Sequence, residues 1–180
     1  KEIKDILAYL NYLINPEDTV SFERILNVPK RGIGESTLQK LRDYANKNEI
    51  SLSKSIENLD EINNLSDRVK KQINNFKEII NDLKSFALQG PSETISKTLE
   101  LTGYKDELVK EGTLDSQMRL ENLDELLTSA FEFENLYEED IEDPFTVLRD
   151  YLESIALFTD SDDVDKEDRI LLMTLHNAKG

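Results

Sequence analysis

Apolar positions recur every three to four residues along most of the chain, the period of a helix with one face turned to a core. Ile3, Ile6, Leu7, Leu10, Leu13 and Ile14 predict a first helix that ends at Asn15-Pro16. Asp18 is placed to cap a short second helix carrying Phe22, Ile25 and Leu26, which stops before Pro29. Ser36, with Gln39 three residues on, has the spacing of a capping box and predicts the start of a third helix. Leu38, Leu41, Tyr44 and Ala45 form its apolar face. The series Val69, Ile73, Phe76, Ile79/Ile80, Leu83 and Phe86/Ala87 predicts a long helix from Ser66 to Leu88, closed by Gly90-Pro91. Shorter helices follow over Thr94–Leu101, ended by Gly103, and over Tyr104–Lys110. A second long helix covers about Asp115–Asn135, with Leu123, Leu126/Leu127, Ala130 and Phe133 on its core side. Glu138–Asp143 reads as an acidic loop, and Pro144 suits the first turn of a helix reaching Phe158.

The end of the chain breaks this period. Asp160–Asp168 is a charged linker, and Ile170–Met173 with Leu175 then forms a nearly continuous apolar run. Such a run reads as a strand buried on both faces, as in a parallel sheet, yet no other segment supplies a sheet for it to join. The expected fold class is mostly α with one orphan C-terminal β-strand, and the chain reads as a piece of a larger protein. No internal repeat is visible.

A composition of 38% hydrophobic and 33% charged residues favours a helical domain with wide solvated faces. The absence of Cys excludes disulfides, thiolate chemistry and Cys-based zinc sites, and a single His excludes a multi-histidine metal site. Asp160, Asp162, Asp163 and Asp165 lack the central Gly and terminal Glu of a calcium loop, so no metal site is expected. No apolar stretch reaches membrane-spanning length and no signal-peptide pattern opens the chain, which predicts a soluble, cytoplasmic protein.

Charge narrows the picture further. The net charge is −16, but residues 1–90 balance 14 basic against 14 acidic side chains, while residues 91–180 carry 8 against 24. Contact with nucleic-acid phosphates requires positive charge, so any such site must be local and belongs in the first half. The acidic half is either a solvated face or a docking surface for a basic partner.

One cluster joins cations to a glycine turn and a helix start: Lys30, Arg31, Gly32, Ile33 and Gly34. Glycines let a backbone come close, and the free N–H groups of a helix's first turn attract an anion. A turn of this kind reads phosphate and shape rather than base sequence. The same residues also suit a plain connecting turn with exposed cations. At the far end, Thr174, His176 and Lys179 follow the predicted strand, where α/β sheets bind ligands, and could make phosphate contacts.

These segments resemble a family. Met173-Thr-Leu-His-Asn-Ala-Lys-Gly180 is similar to motif V of the UvrD/PcrA/Rep-type superfamily-one DNA helicases. Lys1–Leu10 resembles the segment after their motif IV, and Arg24–Gly34 the Gly-Ile-Gly segment that opens their accessory domain 2B. Arg119–Leu126 and Leu148–Leu157 resemble helices of that domain. The resemblance implies that residues 1–15 are a helix of the RecA-like domain 2A, residues 16–167 the helical domain 2B, and residues 168–180 a strand and the start of motif V. It implies that Lys30, Arg31, Gly32, Ile33 and Gly34 contact duplex DNA, with Thr174 and His176 near the single strand and Lys179 and Gly180 near the nucleotide site. ATP and Mg2+ are then cofactors of the parent enzyme, a 3′-to-5′ helicase. The fragment itself carries no Gly-x-x-x-x-Gly-Lys-Ser/Thr loop, and the family's Leu-Glu-Phe would follow Gly180. It is therefore expected not to be an ATPase alone. Implied partners are duplex or fork DNA, bound weakly, the other domains of the helicase, and further proteins. The alternative reading is an interaction or autoinhibitory module docking through its acidic half.

Overall fold

A helix that is apolar on nearly every side must be enclosed, and α1 (Glu2–Ile14) is such a helix. Nine of its residues are buried, and it packs against α2 (Thr19–Leu26), α5 (Asp67–Ala87), α6 (Pro91–Thr102), α8 (Leu114–Leu136) and α9 (Thr146–Ser161). The computed structural model describes residues 1–137 and 145–161. Around α1 the remaining helices α3 (Glu35–Lys47), α4 (Leu52–Ser55) and α7 (Tyr104–Glu111) complete a helical body, with a 3-10 turn over Ile56–Asn58. Among the described residues there is no strand, in keeping with a mostly α fold. No described helix is long and apolar enough to cross a membrane. The acidic loop, Pro144, most of the charged linker and the predicted terminal strand lie outside the described residues.

Aromatic packing links the first helices to the long one. The Phe22 ring lies 5.5 Å from Tyr12 and 6.2 Å, edge to face, from Phe76. Phe22 and Phe76 are fully buried, each contributing about 1.5–3 kcal/mol by removal from water. At the other end Tyr151 of α9 packs on Phe133, and its hydroxyl lies 2.9 Å from that of Ser129.

Helix starts follow side-chain chemistry, with two departures from expectation. Asp18 caps α2 by accepting from Ser21 N–H, and Ser66 caps α5 by accepting from Val69 N–H. Thr113 and Ser116 close a reciprocal box at the start of α8. The capping box expected at Ser36 does not form. Gly34 is the N-cap of α3, Ser36 lies within its first turn, and Gln39 donates instead to Asp43 at 2.8 Å. α6 starts at Pro91 rather than Thr94, because proline fits the first helical position and frees Thr94 to bond back to the Gly90 carbonyl at 2.6 Å. The Glu134 carboxylate, from the last turns of α8, accepts from the backbone N–H and hydroxyl of Ser92 and so caps α6 from a distance.

Candidate nucleic-acid interface

The turn between α2 and α3 is assembled from the end of α2 outward. Asn27 terminates α2, and its side-chain oxygen accepts from the backbone N–H groups of Arg31 (2.8 Å) and Ile33 (3.1 Å). One amide thus holds both arms of the turn. The chain passes through a cis Val28–Pro29 peptide and reverses at Gly32, whose φ of +74° is a conformation that side chains with a Cβ disfavour. Ile33 is buried and anchors the turn to the core. Gly34 has an ordinary φ of −90°, and a Cβ there or at Gly32 would meet nothing within 4 Å. Among the described residues nothing requires glycine at position 34, and the bare backbone there is exposed. The first N–H groups to bond back into α3 are those of Thr37 and Leu38, both to the Gly34 carbonyl.

The two cations of the turn have opposite fates. Lys30 is exposed and forms no ion pair among the described residues. Arg31 points inward. Its guanidinium donates to the carbonyls of Ile25 (3.0 Å), Leu26 (3.4 Å), Val28 (3.0 Å) and Pro29 (3.3 Å), and to the Tyr9 hydroxyl at 2.6 Å. Its carbon centre sits 5.3 Å above the Phe76 ring. The Tyr9 hydroxyl in turn donates to the Val28 carbonyl at 2.5 Å. Burial pushes the Tyr9 hydroxyl up to about 12 against the opposing influence of Arg31, so it stays protonated at neutral pH. The expectation that Arg31 offers its side chain to phosphate thus meets a guanidinium already committed to the interior.

Glu35, in the first turn of α3, would repel an anion, but Arg42 holds its carboxylate at 2.8 Å and that of Glu23 at 2.9 Å. The Arg42 guanidinium is correspondingly shifted upward, by the hydrogen bond to Glu23 first and that to Glu35 second.

Beside the turn lies a cleft of about 270 Å³ lined by Pro29, Lys30, Asp5, Tyr104, Glu107 and Arg119, among others. Asp5 is buried at its base, bonded to Arg24 and to the Tyr104 hydroxyl, each at 2.8 Å. Arg119 meets Glu2 and Glu111 at 3.5 Å and Asp115 at 3.8 Å, and its Nε is the one buried side-chain polar atom without a hydrogen bond among the described residues. Mixed charge makes this a structural cluster rather than an anion pocket.

Lys30, Arg31, Gly32, Ile33 and Gly34 are thus gathered in one turn, whereas Thr174, His176, Lys179 and Gly180 lie outside the described residues. Asn27, Tyr9 and Phe76, which hold the turn, escaped the sequence reading. The signal for Asn27 was an Asn at a helix end shortly before a proline and two glycines. Tyr9 and Phe76 gave no signal beyond their place on apolar faces.

Comparison with known proteins agrees along the whole length. The ATP-dependent DNA helicase PcrA of Staphylococcus aureus (strain Mu50) is 39% identical to the chain over 181 residues. PcrA of Staphylococcus epidermidis (strain ATCC 12228) is also 39% identical, and in both cases all of this chain matches 24% of the relative. The chain therefore spans about a quarter of the length of the relatives it matches. The model of the UvrD-like helicase C-terminal domain matches residues 1–180, and the chain belongs to that family.

Proposed function

We propose that this chain is the duplex-engaging and regulatory part of an ATP-dependent DNA helicase moving 3′ to 5′, with the turn Lys30–Gly34 meeting the phosphate backbone ahead of the fork. In this reading residues 1–15 and 168–180 belong to the motor domain and residues 16–167 to the accessory domain inserted in it. The observation that carries the reading is Gly34: among the described residues nothing needs a glycine there, and in the same turn Lys30 is exposed and forms no ion pair. Backbone N–H groups and one cation suit phosphate, which fixes register without reading sequence. Thr174 and His176 would join the single-strand path in the whole enzyme, and Lys179 and Gly180 the nucleotide site.

Nucleotide and magnesium are a different matter. The described residues gather no trio of metal-ligating side chains, and the sequence lacks a phosphate loop. In this reading ATP and Mg2+ are held chiefly by other parts of the helicase, with Lys179 and Gly180 at the edge of the nucleotide site, and no step here runs through them. Other helicase domains and cytoplasmic protein partners complete the proposed setting.

The test is fork-DNA binding by fluorescence anisotropy at low salt. Lys30→Glu is expected to weaken binding about tenfold or more while leaving helicity intact. Equal affinity in the variant would remove the turn from the interface. A second reading is favoured by α8, which exposes Leu114 and Met118 among Asp115, Glu121, Asp124 and Glu125, a mixed face suited to a basic protein partner.

A further inference from the structure

We infer that Arg31 is a positioning residue, a clamp that sets the shape of the DNA-engaging turn from inside while leaving Lys30 as the turn's only cationic side chain toward phosphate. The inference rests on the proposed role of this turn and assigns its two adjacent cations different work.

Its basis is geometric. Four main-chain carbonyls, from the end of α2 and from the turn itself, converge on one guanidinium nitrogen, and the second nitrogen reaches the Tyr9 hydroxyl of the central helix. The guanidinium carbon lies over Phe76, 5.3 Å from the ring centroid. A guanidinium reaches the carbonyls with one nitrogen and the Tyr9 hydroxyl with another while its carbon lies over a ring; an ammonium has its three donors on a single nitrogen. The carbonyls that Arg31 draws together belong to residues 25, 26, 28 and 29, immediately before the exposed Lys30 and the open glycines. Asn27 holds the other side of the turn through the N–H groups of Arg31 and Ile33. The turn is therefore built before any ligand arrives, and binding need not order it.

Charge alone makes the opposite expectation, that both cations meet phosphates. The two readings separate in the salt dependence of binding. Each phosphate contact to duplex DNA contributes a slope of about −0.9 in log K against log salt. The experiment measures fork-DNA affinity of this chain across a salt series, well below its unfolding temperature, for Lys30→Ala, Arg31→Lys, Arg31→Met and Tyr9→Phe. Lys30→Ala is expected to make the slope shallower by about 0.9. Arg31→Lys is expected to lower affinity about tenfold with the slope unchanged, because it keeps the charge and loses the preorganised turn. Tyr9→Phe, which keeps the ring and removes only the hydroxyl, is expected to act in the same direction and to a smaller extent.

A shallower slope in an Arg31→Met variant, matching that of Lys30→Ala, would show a direct phosphate contact and overturn the inference. Unchanged affinity in Arg31→Lys and Tyr9→Phe, with lowered thermal stability, would reduce Arg31 to a purely structural residue and also overturn it. No change of slope or affinity in Lys30→Ala removes the turn from DNA altogether. The proposed function then falls together with the inference, whereas the first two outcomes leave that function standing.

Discussion

Arg31 and Arg119 both reach into the interior, and they are held in unlike ways. Arg31 is surrounded by neutral acceptors, four carbonyls and a tyrosine hydroxyl, with an aromatic ring beneath it. Arg119 lies among carboxylates, none closer than 3.5 Å, with the Tyr104 hydroxyl beside them, and its Nε lacks a hydrogen bond among the described residues. Short bonds to dipoles constrain direction as well as distance, whereas long ion pairs constrain neither and are screened by salt. The first arrangement suits a surface whose shape matters. The second merely neutralises acids where α1, α7 and α8 meet.

Replacing the two arginines breaks the comparison most directly. Arg31→Ala removes the guanidinium's bonds to the end of α2, the turn and Tyr9 and leaves a gap over Phe76, and is expected to cost about 3 kcal/mol in urea unfolding. The alkaline limb of stability comes next. Tyr9 ordinarily ionises near 10 and is raised to about 12 in the fold, so its contribution is complete below pH 10 and is lost as pH rises through 12. That loss is roughly 2–3 kcal/mol, and Tyr9→Phe is expected to flatten this part of the pH–stability curve. Arg119→Met is expected to cost only about 1 kcal/mol, and the cost should shrink in 1 M salt, where the cost of Arg31→Ala should not. A cost for Arg119→Met that equals the Arg31 value at every salt concentration would erase the distinction. The smallest effect is at Gln39: with no capping box to break, Gln39→Ala is expected to change stability by less than about 0.5 kcal/mol.

Most helices were legible because their apolar residues repeat over enough turns to define a face. α1 and α5 fall close to the predicted limits, and Asp18 caps α2 as expected. α4 was not legible. Its four residues make a single turn, and Leu52, Ile56, Leu59 and Ile62 are buried from an irregular segment with too few repeats to show a period. At the start of α3, Ser36 had the spacing of a cap, but the backbone geometry gives that place to Gly34. The candidate turn was visible in outline, since glycines and cations stand adjacent in the chain. The direction of Arg31 was not, because the carbonyls that attract it are common to every residue and become a site only when α2 ends beside Tyr9 and Phe76.

The long-range cap on α6 carries one more consequence. Ser92 and Glu134 stand 42 residues apart, yet the first turn of α6 and the last turns of α8 share one carboxylate. Unzipping the end of α8 would strip that cap from α6. Slow amide exchange should therefore report a single opening energy for both segments, and Glu134→Gln should speed exchange in both together, marking them as one cooperative unit.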